Sequence, residues 1–323
     1  MKPTASISLD LDNQWSYMKT HGEAGWELFP SYLDLVVPRI LRFLKERGLK
    51  ITFFVVGQDA ALEKNREAIA AIAAAGHEIA NHSFSHEPWL HLYSPKELIE
   101  EFEKTEAALE NVTGTRPVGF RGPGFSLSPA VLDVLAERGY EYDCSTLPTF
   151  IAPLARAFFF IRSPNVSDEE RGKLKKLFGI FSDGFRTLRP HFIESAGRSI
   201  VEIPVTTFPI VKTPIHASYL MFLFRFSPIL ARAYWKMAVT TCRLTGIQPS
   251  LLLHPLDFLC GDDVDGLKFF PGMNVPSVQK LEFLDYAIRL LTDRFDIVSM
   301  REHADRFRSG KPSTADKVSL TRA

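Results

Sequence analysis

The chain has 323 residues, 46% of them hydrophobic and 24% charged, which is enough to bury a sizeable core. Its 38 basic and 38 acidic residues cancel to a formal net charge of zero. No broad basic face is implied, so nucleic acid is excluded as the expected partner. The three cysteines, Cys144, Cys242 and Cys260, form no CxxC pair, and their odd number points away from a disulfide framework and towards a reducing compartment.

The opening Met1-Lys2-Pro3-Thr4-Ala5 lacks the apolar stretch and cleavage site of a signal peptide. No uninterrupted apolar run reaches the ~18–20 residues that span a bilayer. The expectation is a cytoplasmic protein, soluble or peripheral at the inner membrane face. Ala5 to Leu11 alternates apolar and polar residues as a strand does, and ends in Asp10-Leu11-Asp12-Asn13. Carboxylates two apart on an extended strand point to the same side and can share a pocket; the same residues also suit a solvated turn.

Leu33 to Arg47 reads as an amphipathic helix with Leu35, Val36, Ile40, Leu41 and Leu44 as its stripe and Gly48 as its stop. Ile51 to Val56 is a buried strand, and Asp59 to Ala75 an alanine-rich helix stopped by Gly76. His77 to Ala80 is the next strand, followed by His82 and His86. Four residues make about one helical turn, so both imidazoles can face one way and form half of a divalent-metal site. Such pairs also sit on solvated helix faces. Ser94-Pro95-Lys96-Glu97 is a capping box for a helix to about Val112. Val118 to Phe120 is a short strand running into Arg121-Gly122-Pro123-Gly124-Phe125. Ser128-Pro129 starts a helix to about Arg138, and Tyr140 to Cys144 is a strand.

This regular alternation implies parallel strands with helices outside, as an open sheet or a barrel. From 147 to 197 the rhythm breaks into an insertion with helical pieces, read as a lid. Strand character returns from Ile200 to Thr206. Ala217 to Tyr234 is rich in phenylalanine and reads as a core helix or a surface dipping into lipid. Ser250 to Leu253 is a buried strand ending at His254; Pro276 to Arg294 is a helix, Asp296 to Ser299 a strand, and 311–323 a loose tail. The whole, 1–323, is expected to be a single domain.

The unusual polar residues, Asp10, Asp12, His82, His86, Arg121, Asp143 and His254, all fall at the C-terminal ends of expected strands. That is the edge at which active sites form in parallel α/β sheets and barrels. With these residues the chain resembles the NodB-like polysaccharide deacetylases, carbohydrate esterase family 4. The resemblance rests on Ser8-Leu9-Asp10-Leu11-Asp12, the block Ile51 to Gly57, His82-Ser83-Phe84-Ser85-His86, Phe120-Arg121-Gly122-Pro123, Tyr142-Asp143-Cys144-Ser145 and Leu252-Leu253-His254, in the family's order.

It implies a distorted (β/α)7-8 barrel and a metal-dependent hydrolase that removes an N-acyl group, N-acetyl in the first instance, from a sugar or saccharide. By resemblance, Asp12, His82 and His86 hold the metal, and Asp10 is the general base, held and tuned by Arg121. His254 is the general acid, oriented by Asp143. Zinc is the default cation, with Co2+, Ni2+, Mn2+ and Fe2+ as alternatives. Trp89 and Phe125 are candidates to stack on a sugar, and Trp15 and Trp26 to line the cleft.

Three features depart from the usual pattern. Leu11 splits the acid pair, Asn13 replaces a glycine, and the aromatic most members carry before the glycine of the third landmark is missing. The apolar stretches fit a lipid-linked substrate or peripheral membrane contact. The alternatives are an amidohydrolase acting on a small non-sugar amide and a non-catalytic saccharide-binding barrel. The oligomeric state is not legible.

Overall fold

The computed structural model describes residues 2–310, apart from 164, 265, 269 and 271, together with Lys317–Val318. The rest of the tail read over 311–323 lies outside the described residues. Strand β1 (Thr4–Asp10) leads through α1 (Gln14–His21) and α2 (Leu33–Lys45) to β2 (Thr52–Val55). Helices α3 (Gly57–Ala61) and α4 (Arg66–Ala74) lead to β3 (Glu78–Asn81), α5 (Pro95–Thr113) to β4 (Gly119–Phe120), and α6 (Pro129–Glu137) to β5 (Tyr142–Asp143). Helices α7 (Ala152–Arg162) and α8 (Asp168–Lys173) precede the hairpin of β6 (His191–Ser195) and β7 (Arg198–Glu202). Then come α9 (Ala217–Phe226), α10 (Pro228–Thr245), β8 (Ser250–Leu253), α11 (Ser277–Thr292), β9 (Asp296–Val298), α12 (Met300–Ser309) and β10 (Lys317–Val318).

The strands form one sheet in the order β10-β6-β7-β5-β4-β3-β2-β1-β8, with β9 also paired to β1. The described pairings are parallel except that of β6 with β7. Beyond β7 the chain turns back onto β8. The Thr206 N–H donates to the Ser250 carbonyl at 3.1 Å, and the Ser250 N–H donates to Thr206 Oγ1 at 2.8 Å. The alternation left an open sheet and a barrel both possible; the sheet is curled in the manner of the distorted barrel that the resemblance implied.

Period-two patterning places the core and the site together. Ala5, Ile7 and Leu9 of β1 are fully buried against the helix layer, with Val36, Ile40, Leu44 and Ile288. Each such aliphatic side chain contributes about 1.5–3 kcal/mol of burial free energy. Ser6, Ser8 and Asp10 take the opposite face. Ser6 Oγ meets His303 Nδ1 at 2.9 Å, while Ser8 and Asp10 meet Arg121. Beneath the site these hydrogen-bonded groups lie beside an apolar cluster that includes Phe54, Ala80, Tyr142, Cys144 and Met300.

Several expected elements are redrawn. The helix read over Asp59 to Ala75 is broken, because Leu62 is extended and Asp59 is buried as an acceptor for Asn13, Trp15 and Asn65. The 147–197 segment contains α7 and α8 but ends in β6, which pairs antiparallel with β7. The apolar stretch from Ala217 to Tyr234 is two helices, parted where Ser227 caps α10 and Pro228 lacks the N–H to continue α9. Helices α1 and α12 were not expected: α1 carries little apolar periodicity, and α12 is short with few apolar residues. Leu35 faces outward, and Leu33, Val37 and Phe43 join the stripe of α2 instead.

Candidate active site

Strand ends gather the polar residues at one mouth. Asp10 closes β1 and Asp12 follows two residues on, with the Leu11 N–H still donating to Phe54 O across the ladder at 2.8 Å. Leu11 points into the core, so both carboxylates share the other face. Asn13 then explains its place. Its Oδ1 accepts from the Gln14 and Tyr32 N–H groups, capping α1, and its Nδ2 donates to Asp59 at 2.7 Å. The Tyr32 hydroxyl donates to the Asp12 carbonyl at 2.5 Å.

The two histidines do not sit on a helical turn. Residues 82–86 form a loop in which Ser83 and His86 take positive φ, 61° and 52°. Several groups hold it. The Asn81 side chain accepts from Ser83 N–H at 2.7 Å, Ser83 O accepts from Gly57 N–H at 2.9 Å, and Glu101 of α5 accepts from the Phe84 and Ser85 N–H groups and the Ser85 hydroxyl. Lys19 of α1 pairs with Glu87 just beyond.

This loop brings His86 Nε2 to 3.0 Å and His82 Nε2 to 3.3 Å from the same oxygen, Asp12 Oδ1. One donor atom from each residue lies within 4.8 Å of the others. His82 Nδ1 meets the Arg121 carbonyl at 2.7 Å, which fixes the tautomer leaving Nε2 for the shared point. Burial pushes the Asp12 carboxyl up, but the His86 and His82 imidazoles outweigh it and hold it well below the usual carboxylate range. An oxygen and two imidazole nitrogens converging in this way fit a divalent cation of the zinc type.

Arg121 is completely buried. Its Nη1 donates to Asp10 Oδ1 at 2.6 Å and to Ser8 at 3.0 Å, its Nε donates to the Cys144 carbonyl, and its guanidinium lies over Phe54. A Cβ on Gly122 would stand 2.0 Å from Ser126 O, so the turn after Arg121 requires glycine.

The partner expected for His254 is corrected. Asp143 accepts from the Ser145 hydroxyl at 2.6 Å, and Ser145 Oγ in turn accepts from Gly122 N–H at 2.8 Å, so Asp143 props the Arg121 turn. It faces Glu202 across the β5–β7 ladder, and burial together with that carboxyl neighbour pushes Glu202 well up. His254 Nδ1 instead meets Ser218 Oγ of α9 at 3.1 Å. Ser218 donates on to Asp257 at 3.0 Å, and Asp257 also accepts from His254 N–H at 2.7 Å. The three-residue spacing His254-Pro255-Leu256-Asp257 was the available signal; Ser218 had none.

Asp10, Asp12, His82, His86 and His254 line one cavity of about 450 Å³. Phe125 lines it too. Trp89 does not: it packs with Val166 and Leu174 beneath the α7–α8 segment. Trp15 is buried, donating to Asp59, and Trp26 is also outside the cavity. Sequence reading missed Tyr17, whose buried hydroxyl faces the cleft with no partner among the described residues. Burial and the nearby Asp12 push that phenol well up, so it remains a donor. Beyond this polar floor the walls are apolar, with Leu154, Phe158, Phe159, Tyr219, Phe222 and Phe270.

Residues 23–142 match the family model described as polysaccharide deacetylase. A peptidoglycan deacetylase of Helicobacter pylori is 28% identical over 120 residues, covering 37% of this chain and 40% of that protein. A peptidoglycan-N-acetylglucosamine deacetylase of Bacillus cereus is 38% identical over 86 residues, covering 27% and 30%. The matched stretches span about a third of the length of the curated relatives. A solved Mycobacterium smegmatis structure, described as a candidate polysaccharide deacetylase, shares the fold with a TM-score of 0.63 at 22% identity, covering 100% of this chain and 99% of that one. The matched segment contains His82, His86 and Arg121, and the fold places Asp10, Asp12 and His254 beside them. Over residues 23–142 the chain is thus similar to the polysaccharide deacetylases, and its fold is that of a solved structure described as one of them.

Proposed function

We infer that this chain is a metal-dependent hydrolase removing an N-acyl group, N-acetyl in the first instance, from a saccharide that carries a lipid. One observation supports this above all. A converging Asp12-His82-His86 donor set, a carboxylate gripped by a buried arginine and a positioned imidazole all line a single cleft. Asp12, His82 and His86 hold the cation, with zinc the default and Co2+, Ni2+, Mn2+ or Fe2+ matched to the same donors. When bound, a divalent cation supplies Lewis acidity towards the amide carbonyl and makes water more acidic.

Asp10 takes the proton from the attacking water. The Arg121 bond holds that carboxylate in place. His254 delivers a proton to the amide nitrogen as the C–N bond breaks, its ring held by Ser218, which is itself bonded to Asp257. The Tyr17 hydroxyl is the donor this cleft offers to the developing oxyanion. The lipid follows from the walls: a bare sugar polymer would find few hydrogen-bonding partners among Leu154, Phe158, Phe159 and Phe222.

Release of acetate or formate from N-acyl sugars by the purified protein is the test. Turnover is expected to vanish on chelation and in His82→Ala. Activity untouched by both overturns the reading, and turnover confined to ureides in a substrate panel assigns a small non-sugar amide instead.

A further inference from the structure

Charge is unevenly spread along a chain whose total is zero. Residues 144–167 and 203–256 contain seven Lys or Arg and no Asp or Glu. These stretches build α7, α9 and the loop before α9, which line the cleft, and α10, which packs against α9. Large apolar side chains stand in solvent on the same elements and on the adjoining 181–185 turn. Leu154, Ile161, Phe185, Ile210, Phe226 and Ile229 are each between 65% and 81% exposed.

The pieces form one face. Phe158 of α7 meets Phe222 of α9 with ring centroids 6.1 Å apart. Phe150, beside α7, meets Phe185 at 5.0 Å. Lys212 Nζ donates to the Arg186 carbonyl and Thr149 Oγ1 donates to the Lys212 carbonyl, which fixes the Ile210 loop against the same segment. Leu154 both lines the cavity and stands exposed, so the apolar wall of the cleft runs out onto the face without interruption. Arg162, Arg225 and Arg232 lie over the rings of Phe158, Phe226 and Tyr286. Apolar bodies with cationic heads at their margin are the chemistry of a bilayer interface.

We propose that this face docks on an anionic phospholipid bilayer, with the cleft mouth turned to the lipid. The occupant follows from the charge. A face on which Lys and Arg predominate, with Asp183 of the 181–185 turn paired to Arg186, attracts an anionic leaflet, whereas a two-fold contact between two copies would set like charges against each other. No helix of the described residues is long and apolar enough to cross a membrane, so the docking is peripheral. The inference deepens the amide-hydrolase reading and rests on it only for the claim that the substrate is drawn from the bilayer.

The test is flotation of the full chain with vesicles of phosphatidylglycerol and phosphatidylcholine, against phosphatidylcholine alone. Binding to the anionic vesicles is expected, weakening as salt rises. The exposed changes Ile161→Glu with Ile210→Glu, and separately Arg225→Glu with Arg232→Glu, are expected to weaken it at least tenfold. Both pairs should leave turnover of a water-soluble N-acyl sugar unchanged. His82→Ala should abolish that turnover and leave flotation intact, which separates failure of docking from failure of the hydrolase reading. No binding to anionic vesicles at low salt, or unchanged binding by both pairs, overturns the proposal. So does a dimer in solution that Ile161→Glu with Ile210→Glu dissolves, since a second copy is then the occupant.

Discussion

Asp10 is buried with Arg121 as its cationic partner, and both directions of that pairing are measurable. Asp10→Asn keeps the shape and removes the base; kcat is expected to fall by about 10²–10⁴-fold while the metal content of the protein stays unchanged. Arg121→Met strands the carboxylate and is expected to cost about 3–5 kcal/mol of stability in urea unfolding. The residues around His254 separate two roles that sequence reading merged. Asp257→Asn is expected to lower kcat without lowering the melting temperature, and Asp143→Ala to do the reverse. The opposite pattern would restore Asp143 as the residue that orients the imidazole. Asp10, Asp12, His82, His86 and His254 were legible because each stands in a short landmark at a strand end. Ser218 was not, since only the packing of α9 against the end of β8 brings it to the ring.

At the scale of elements, the loop that carries His82 and His86 is irregular, and its shape is imposed from outside. Glu101 lies a full connection away in sequence yet takes three hydrogen bonds from Phe84 and Ser85. Glu101→Gln keeps the volume but weakens those bonds, and cobalt affinity in equilibrium dialysis is expected to fall by about tenfold or more. An unchanged affinity would mean that Asn81 and Gly57 alone shape the loop. Helix starts were readable wherever a chemical signal was local: Ser94 and Ser128 cap α5 and α6 as their sequences indicate. The break between α3 and α4 was not, because it exists to bury Asp59 under Asn13 and Trp15, partners far along the chain. The β6–β7 hairpin was hidden by mixed composition in β6, where His191 and Glu194 interrupt the apolar pattern.

For the whole molecule, four histidines tie stability to acidity. Burial pushes His21 and His77 down to about 4, and His216 and His303 down to about 3, so all are neutral in the folded protein near neutral pH. The unfolded chain takes up their protons as pH falls below about 6.5, while the folded chain does not. Their contribution to stability is thus complete above about pH 6.5 and is lost as pH falls from there, towards 4 for His21 and His77 and towards 3 for His216 and His303. Each changes stability by about 1.4 kcal/mol per pH unit within that window. His303, held between Ser6 and Gln248, is the cleanest probe. His303→Gln is expected to flatten the pH dependence of the unfolding free energy by about one proton, and an identical slope in both proteins contradicts this. The parallel architecture was visible in the alternation of strands and helices. The return of the chain at Thr206 that curls the sheet was not, because it depends on two hydrogen bonds between segments with no shared sequence signal.

β1 is flanked by β2, β8 and β9, and the last two come from the far part of the chain. On the ribosome, the strand that ends in Asp10 therefore emerges well before β8 and β9 and waits, one edge unsatisfied, until they follow. Such an open edge invites pairing with the wrong neighbour, so a chain truncated before β8 is expected to aggregate, as light scattering of the purified fragment would show.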